Sequence, residues 1–439
     1  MYGQGTSSLA YPVKNFRLRF CKKADKYSLL PAIPGIEDNE AEQEKWGNVP
    51  KVALFTIKAD YMDSSMAHNI GTGNLLAGLY DSVGMKSPAQ IAYPDKTLSL
   101  NIVGHPIIVF WRTGEIGTET FIGRYNFNTD KAEHSLFGFE EDPDKMYGVV
   151  TEGEGDNKHL KWGFQSTLDE SEKWDSDNLA AKTYYTAPNL NAEWQYNGID
   201  DGGKAMKTAL AQGPLYEYVE GPRSIQCWEF LNNGAALDGF RKGWDGDLNE
   251  WVAAFESRYP EHQETKVDKD HKYQFCSDNR GFARLINWLH STDQSQATNE
   301  PLDEPVIYDG VTFTVDTKEC RLAKFKSEFD NYMVKNFTVF YYIMTEALLM
   351  IDSRAKNMMM VSFDLDQDAN TGHWFPIFYD MDTILGVDNS GVLRYSYDVD
   401  DEIETIYNAS ANYGFYDDND IWHANPNYSV LWCNLREGF

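Results

Sequence analysis

The pattern of apolar and polar positions near the start of the chain predicts a β-rich region. Residues 16–20 are Phe-Arg-Leu-Arg-Phe, and this period of two is typical of a strand with one buried face. We expect the three apolar side chains to face a core and the two arginines to share the opposite face. A second strand is predicted at 52–58 and a β-hairpin at 107–112 and 121–127. These elements predict an N-terminal β-rich lobe over residues 1–130.

A helix is predicted between these strands. Asp63-Ser64-Ser65 is typical of a helix start, because such side chains accept hydrogen bonds from the first backbone N–H groups. The apolar positions expected on its inner face are Met66, Ile70, Leu75, Leu76 and Leu79. Gly71 and Gly73 weaken the prediction, since glycine is a poor helix former.

The middle of the chain has a different composition. Residues 131–215 are polar and rich in turn formers, so we predict an insertion of short strands and loops there. Residues 216–330 are predicted as a helical segment. Within it the pattern favours helices at 249–257 and 280–290 and a proline-containing loop at 301–305.

Residues 331–439 are predicted to form a C-terminal lobe. Its apolar stretch, 337–351, contains Thr345 and Glu346, so it is predicted as a buried core helix and is too short and too polar to span a bilayer. The other predicted elements are helices at 317–330, 331–351 and 429–439, strands at 358–363 and 374–379, and a polar turn at 364–372. Together the segments predict an α+β protein.

Charge and cysteine content narrow the partners. The chain of 439 residues has 68 acidic and 39 basic side chains, a net charge of −29, which disfavours nucleic acid and better fits cationic protein partners. The alternative is that the acidity simply aids solubility. Its five cysteines include no Cys-x-x-Cys pair, which indicates reduced thiols rather than a disulfide framework. Met1 leads into a polar, glycine-rich stretch, so no secretion signal is expected.

The candidate chemistry lies where the long helix of the C-terminal lobe ends. Asp352 is followed five residues later by Asn357, and the next predicted hairpin ends in Asp380-Met381-Asp382. Phosphoryl transfer uses parts in this order, because one carboxylate orients the attacking hydroxyl while an amide oxygen and a second carboxylate hold Mg²⁺. The alternative is that these polar residues serve only the backbone at helix ends and turns.

Four segments, taken in order, resemble the CotH kinase-like family, which includes spore coat protein H. Tyr379-Asp380-Met381-Asp382-Thr383-Ile384-Leu385-Gly386 is similar to the family's Asp-x-Asp signature, and residues 5–20 are similar to its N-terminal element. Residues 59–66 and 121–125 resemble its next motif and its middle strand. The resemblance spans roughly residues 3–130 and 330–390.

The resemblance implies an atypical protein-kinase-like two-lobe fold with a large inserted subdomain, and it implies Mg and ATP as cofactors. Carried over by position, Asp352 would be the catalytic carboxylate. The metal ligands would be Asn357, Asp380 and Asp382, and the residues approaching the nucleotide phosphates would be Lys14, Arg17 and Arg19.

Three differences from the family pattern leave open that the chain has a kinase-like fold without catalytic activity. Arg19 stands where the family usually has lysine, and arginine differs from lysine in geometry. His68-Asn69 stands where the family often has Arg-Asn, and the predicted helix has no glutamate to pair with a phosphate-binding cation.

A longer form of the pattern also resembles large virion proteins of tailed phages. This likeness involves residues 297–301, 352–357 and 431–436. It implies a structural tail or neck component, part of a larger assembly or a longer polypeptide, located in the virion or the host cytoplasm.

Overall fold

The structure is a computed structural model, and it shows an α+β protein in which helices accompany antiparallel sheets. It describes residues 2–4, 11–19, 54–61, 63, 65–112, 114, 117–141, 151–152, 159–160, 225–230, 243, 254–259, 264–266, 272–274, 280–350, 353–354, 357–365, 371–387, 391–393, 413–416, 419–425 and 428–439.

The elements are named here in chain order. The strands are β1 Tyr2–Gln4, β2 Asn15–Arg19, β3 Leu54–Lys58, β4 Gly104–Arg112, β5 Glu119–Thr129, β6 Thr151–Glu152, β7 His159–Leu160, β8 Gln226–Phe230, β9 Phe255–Tyr259, β10 Glu264–Lys266, β11 Lys272–Gln274, β12 Pro301–Tyr308, β13 Val311–Val315, β14 Met358–Ser362, β15 Phe375–Phe378, β16 Gly414–Tyr416 and β17 Trp422–Ala424. The helices are α1 His68–Ser82, α2 Pro88–Ala92, α3 His134–Phe137, α4 Arg280–Ser291, α5 Lys318–Glu328, α6 Lys335–Ala347 and α7 Val430–Gly438.

The chain divides into two compact units. The first comprises Met1–Asp142, Thr345–Ser353 and Ile377–Tyr397, and the second comprises Pro143–Met344, Arg354–Pro376 and Asp398–Phe439. The four sequence segments predicted above follow other boundaries and stay a prediction. Most of the predicted insertion lies outside the described residues.

The first unit contains a five-stranded sheet in the order β1-β2-β3-β5-β4, with antiparallel pairing throughout. One face is apolar: Phe16 and Leu18 pack against a core cluster that includes Ile57 and Tyr125. This confirms that Phe16 and Leu18 face the core, where they are partly buried, whereas the third predicted residue, Phe20, lies outside the described residues. Arg17 is on the opposite face, where the register aligns it with Thr56.

The opposite, polar face places charged and amide side chains side by side. Across β3 and β5, Lys58 is paired with Asn126, and Thr56 is paired with Asn128. Both asparagines are fully buried. Because side chains alternate between the two faces of a strand, Lys58 shares a face with these amides rather than with the apolar cluster.

Helix α1 connects β3 to β4. It buries Ile70, Leu76 and Tyr80 together with the polar Asn69 and Thr72, whereas Leu75 is about half exposed, contrary to the predicted inner face. Gly73, which weakened the prediction, allows the backbone to approach closely. A Cβ atom there would be 2.2 Å from the carbonyl oxygen of Ile102.

A second, four-stranded sheet has the order β15-β14-β8-β9, and its strands β14, β8 and β9 belong to the second unit. Its core is aromatic: the centroid of the Phe282 ring on α4 lies 5.8 Å from the ring centroid of Trp228, 5.1 Å from that of Phe255 and 5.0 Å from that of Trp374. The predicted strands at 358–363 and 374–379 are confirmed as β14 and β15. In no part of the chain that the structure describes is a helix long and apolar enough to cross a bilayer.

Two predicted elements of the second unit are wrong where the structure describes them. The predicted helix at 249–257 overlaps β9, whose burial alternates with a period of two. The predicted loop at 301–305 is instead part of β12, which pairs with β13. The register of that hairpin shifts between Pro301 and Val306, so the prolines lie at its first residue and in its irregular part, where proline is tolerated.

The predicted C-terminal helix is confirmed as α7, and hydrogen bonds fix it in the second unit. The side-chain amide of Asn434 donates to the backbone oxygen of Thr292 at 3.0 Å, and the indole of Trp432 donates to the backbone oxygen of Arg354 at 2.7 Å. All four residues are buried, so these bonds satisfy groups that water does not reach.

Candidate functional site

The centre of the site is an ion pair between Lys58 and Asp380 in the first unit. Lys58 is the last residue of β3, and Asp380 follows β15. The Lys58 Nζ atom donates a hydrogen bond to Asp380 Oδ1. About 14% of the lysine side chain and 23% of the aspartate side chain are accessible, so the pair is largely, but not fully, shielded from water.

Helix α1 holds the aspartate in place through Asn69. The amide nitrogen of Asn69 donates to Asp380 Oδ1 at 3.3 Å, and its amide oxygen accepts from the backbone N–H of Met381 at 3.2 Å. Asp380 has a left-handed backbone with φ of 50°, which costs free energy for a residue other than glycine. The two bonds from Asn69 compensate part of that cost and fix the carboxylate.

The second oxygen of the same carboxylate remains open. Oδ1 of Asp380 accepts from both Lys58 and Asn69, while Oδ2 makes no hydrogen bond to any residue within the described ranges. Burial raises the pKa of Asp380, but the positive charge of Lys58, with smaller contributions from Lys131 and Asn69, outweighs it and holds the pKa below its ordinary value. Asp380 is therefore ionised near neutral pH and presents one free carboxylate oxygen.

Lys58 is surrounded by acids. Burial lowers its pKa, but the carboxylates of Asp380, Asp382 and Asp60 raise it more, so the pKa lies above its ordinary value and the lysine is a permanent cation. An ammonium group has three N–H donors, and Lys58 uses one of them on Asp380. The remaining donors can bind an anionic ligand.

The start of helix α1 is fixed by Asp63, which was predicted as part of its cap. The helix begins at His68, and the Asp63 carboxylate accepts from the backbone N–H groups of Ala67 at 2.6 Å and His68 at 2.7 Å. Burial raises the pKa of Asp63, but hydrogen bonds from His68, Ser65 and Ala67 outweigh it and lower the pKa. The carboxylate is committed to the helix start rather than to a ligand.

A second lysine lies near Asp380. The Lys131 Nζ atom donates to the hydroxyl of Tyr379 at 2.5 Å and lies 4.0 Å from the centre of the same ring. Its charge contributes to the lowered pKa of Asp380. Lys131 and Lys58 together give the aspartate a cationic environment.

The three residues predicted to approach phosphates have different positions. Arg17 donates two hydrogen bonds to Asp130, at 2.7 and 3.0 Å, so its guanidinium is engaged by a fully buried carboxylate. Lys14 donates to the backbone oxygen of Tyr11 at 2.5 Å. Arg19 ends β2, and its side chain lies outside the described residues. Their predicted role in phosphate binding stays a prediction.

The predicted catalytic and metal-binding residues are distributed as follows. Asp352 lies outside the described residues. Asn357 belongs to the second unit, where it is buried and has a left-handed φ of 52° just before β14. Asp380 and Asp382 belong to the first unit, and the backbone oxygen of Asp382 lies 3.4 Å from His68 Nδ1.

Sequence reasoning missed Lys58 and the role of Asn69. The available signal was local: the segment Leu54-Phe55-Thr56-Ile57-Lys58 ends an apolar strand with a lysine.

The donor chemistry around Asp380 suits Mg²⁺, which prefers carboxylate oxygens and is usually bound by one or two carboxylates plus ligand phosphates and water. The open Oδ2 atom of Asp380 meets that requirement. Where the chain is described, no group of three or more His, Cys, Asp and Glu side chains could hold a metal ion. A metal at Asp380 would thus depend on oxygens from a ligand or on a further side chain of the same unit such as Asp382.

Comparison with known proteins adds no family to these observations. No protein-family model matches the chain, and a search of curated proteins finds no match.

Proposed function

We propose that this chain is a kinase-like protein that binds Mg-ATP at the Lys58–Asp380 site and transfers phosphate to a protein hydroxyl. The observation that carries the proposal is the pairing of a strand-ending lysine with an ionised aspartate that keeps one oxygen open. In protein kinases a lysine on the third strand binds the nucleotide phosphates, and an aspartate that follows a later hairpin binds Mg²⁺.

The order of elements also supports the proposal. Lys58 ends the third strand of the sheet, and helix α1 follows before the fourth strand. In protein kinases the corresponding helix contacts the lysine-bearing strand and influences the metal-binding aspartate. Here Asn69 of α1 donates to Asp380 directly. This supports the two-lobe kinase-like fold as a proposal.

Each residue then has a chemical task. Lys58 would bind phosphate oxygens, and Asp380, assisted by Asp382, would hold Mg²⁺, which neutralises charge on the phosphates when bound. The role of Asn357 as a further metal ligand stays a prediction. Asp352 would accept the proton of the attacking hydroxyl. Arg17 links β2 to Asp130, and a direct role for Lys14 and Arg19 at the phosphates remains part of the proposal.

A second candidate is a catalytically silent structural component of a tailed-phage virion that keeps the kinase-like fold. One observation favours it: the only acid of α1 is Asp81 in its last turn, and Lys58 pairs with Asp380, the proposed metal ligand, instead of with the helix. Exposed aromatic residues on the β4–β5 hairpin also suit a binding protein, namely Phe110, Trp111 and Phe121.

Labelled ATP distinguishes the two candidates. With Mg²⁺ and γ-labelled ATP, the wild-type protein should label itself or an added protein, and Lys58→Met and Asp352→Asn should lose at least ~100-fold in rate, the scale of losing a catalytic acid–base group. Lys96→Met is the matched control, because this lysine pairs with Glu141 and is half exposed. Binding of Mg-ATP without transfer supports the silent candidate, and the absence of both labelling and any Mg-ATP-dependent thermal shift refutes the kinase proposal.

A further inference from the structure

Lys58 has a second acidic neighbour that the proposed chemistry does not use. Asp60 lies two residues further along the chain and is 6% exposed. Lys58 and Asp60 are close enough for each charge to shift the pKa of the other. Asp60 Oδ2 accepts a hydrogen bond from Asn126, which is paired with Lys58 across β3 and β5, so the carboxylate lies beside the strand end that carries Lys58.

Asn126 fixes the position of this carboxylate. It lies directly across from Lys58 in the β3–β5 pairing, and its amide nitrogen donates to Asp60 Oδ2 at 2.5 Å and to the backbone oxygen of Met66 at 2.7 Å. Its amide oxygen is buried and has no hydrogen-bond partner among the residues that the structure describes. An additional N–H donor from the neighbouring ammonium would satisfy that oxygen.

Keeping Asp60 in this position is unfavourable for the fold. Its φ of 41° is in the left-handed region, which costs free energy for residues other than glycine. Burial raises the pKa of Asp60, and the opposing effects of Lys58 and Asn126 are too small to bring the pKa back to its ordinary value. Strain and a buried carboxyl group at one residue are typical of functional positions.

The proposed function gives this residue a task. A metal bound by Asp380 would weaken the ion pair between Asp380 and Lys58, and Lys58 would then need another partner to stay oriented. Helix α1 supplies none, because Asn69 is already engaged with Asp380 and Met381. The carboxylate of Asp60 is near Lys58 and is fixed by a hydrogen bond from Asn126 of the sheet.

We propose that Asp60, held by Asn126, is the residue that positions Lys58 for an anionic ligand, in place of an acid from helix α1. This inference rests on the proposed function. Asp60 is a positioning residue in this account, since it acts on the ligand through Lys58.

The first test compares ligand affinity with stability in Asp60→Asn. Asparagine keeps the acceptor for Asn126, tolerates a left-handed backbone and removes the buried carboxylate. We expect the affinity for Mg-ATP, measured by calorimetry, to fall at least ~10-fold while the unfolding midpoint is unchanged or higher. The matched control is Glu133→Gln, a buried acid of the same unit that accepts from the backbone of Leu54, and its Mg-ATP affinity should not change.

Two results of that test would overturn the inference: wild-type affinity in Asp60→Asn, or a loss of affinity accompanied by a lower unfolding midpoint, which indicates a structural role.

The second test needs no ligand and separates this inference from the proposed function. Asp60→Asn and Asp380→Asn are combined, and urea unfolding of both single variants and the double variant is compared with wild type. If Asp60 is the alternative partner of Lys58, the double variant should raise the unfolding equilibrium constant at least ~10-fold beyond the product of the two single effects, as interacting residues do. If the wild type does not bind Mg-ATP, the proposed function fails. The coupling would still support Asp60 as the residue that positions Lys58, whereas additive effects of the two substitutions would overturn that role.

Discussion

Replacing Asp380 with asparagine removes one charge from the Lys58 ion pair while changing little else. Asparagine tolerates the left-handed backbone at this position and retains an oxygen that can accept from Asn69. Removing one partner of a fully buried ion pair costs about 3–5 kcal/mol, whereas an exposed pair is worth about 0–1 kcal/mol. The pair is partly accessible, and Asp60 and Asp382 still attract Lys58, so we expect a loss of about 2 kcal/mol at pH 7, between these limits.

The pH dependence has a defined sign. The folded-state pKa of Asp380 is lowered, so its contribution to stability is present above the ordinary aspartate pKa of about 4 and is lost as the pH falls through the folded value. The difference between wild type and Asp380→Asn should therefore be constant from pH 8 to about pH 5 and should shrink below about pH 4.

Urea unfolding followed by circular dichroism measures this difference. The control is Glu141→Gln, which breaks the exposed pair with Lys96 and should cost less than about 1 kcal/mol. Equal stability of Asp380→Asn and wild type at pH 7, or a difference that grows in acid, would refute the reasoning from the Lys58–Asp380 pair.

Two other predictions concern packing and a histidine. Gly73→Ala should lower the free energy of unfolding by about 1–3 kcal/mol, measured by thermal unfolding, because its Cβ would be 2.2 Å from the backbone oxygen of Ile102. Gly71→Ala is the control: its Cβ would meet nothing within 4 Å, so this change should be neutral or stabilising. Equal effects of the two changes would contradict the close approach at Gly73. Burial lowers the pKa of His373, but Asp364 outweighs it and the pKa is raised. The protonated His373 therefore stabilises the fold fully below about pH 6.5, and this stabilisation is lost as the pH rises further. The urea midpoint of the wild type should accordingly fall towards that of His373→Gln as the pH rises. Parallel pH profiles of the two proteins would contradict this.

Local periodicity accounts for the elements that were predicted correctly. Strand β2 alternates apolar and charged residues, so its buried face follows from five consecutive positions. The same rule could have identified β9, since Phe255, Ser257 and Tyr259 are the buried positions of a period-two pattern. The apolar run that precedes β9 obscured that alternation.

Proline misled the prediction for β12, because proline usually marks a loop. In a two-stranded hairpin it can occupy the first position or an irregular part of the ladder, where its missing N–H group leaves no partner unsatisfied. The hairpin therefore depends on which backbone groups are paired, and composition alone does not reveal that pairing.

The candidate site shows the limit of local patterns more clearly. Asp380 was predicted from a motif, but its partner Lys58 lies 322 residues away in sequence. The arginine chosen instead, Arg17, is engaged by Asp130, which lies 113 residues away. Pairings over such separations follow from sheet topology, so the residue types were predictable whereas their partners were not.

Calorimetric titration of Mg-ATP into the wild-type protein and into Lys58→Met tests the central claim most directly. The account predicts saturable binding by the wild type that requires Mg²⁺, and at least a ~10-fold loss of affinity in Lys58→Met, the scale expected for one charge-assisted hydrogen bond. Binding of equal strength in the two proteins, or no Mg²⁺-dependent binding by the wild type, would contradict the assignment of the Lys58–Asp380 pair as a metal–nucleotide site.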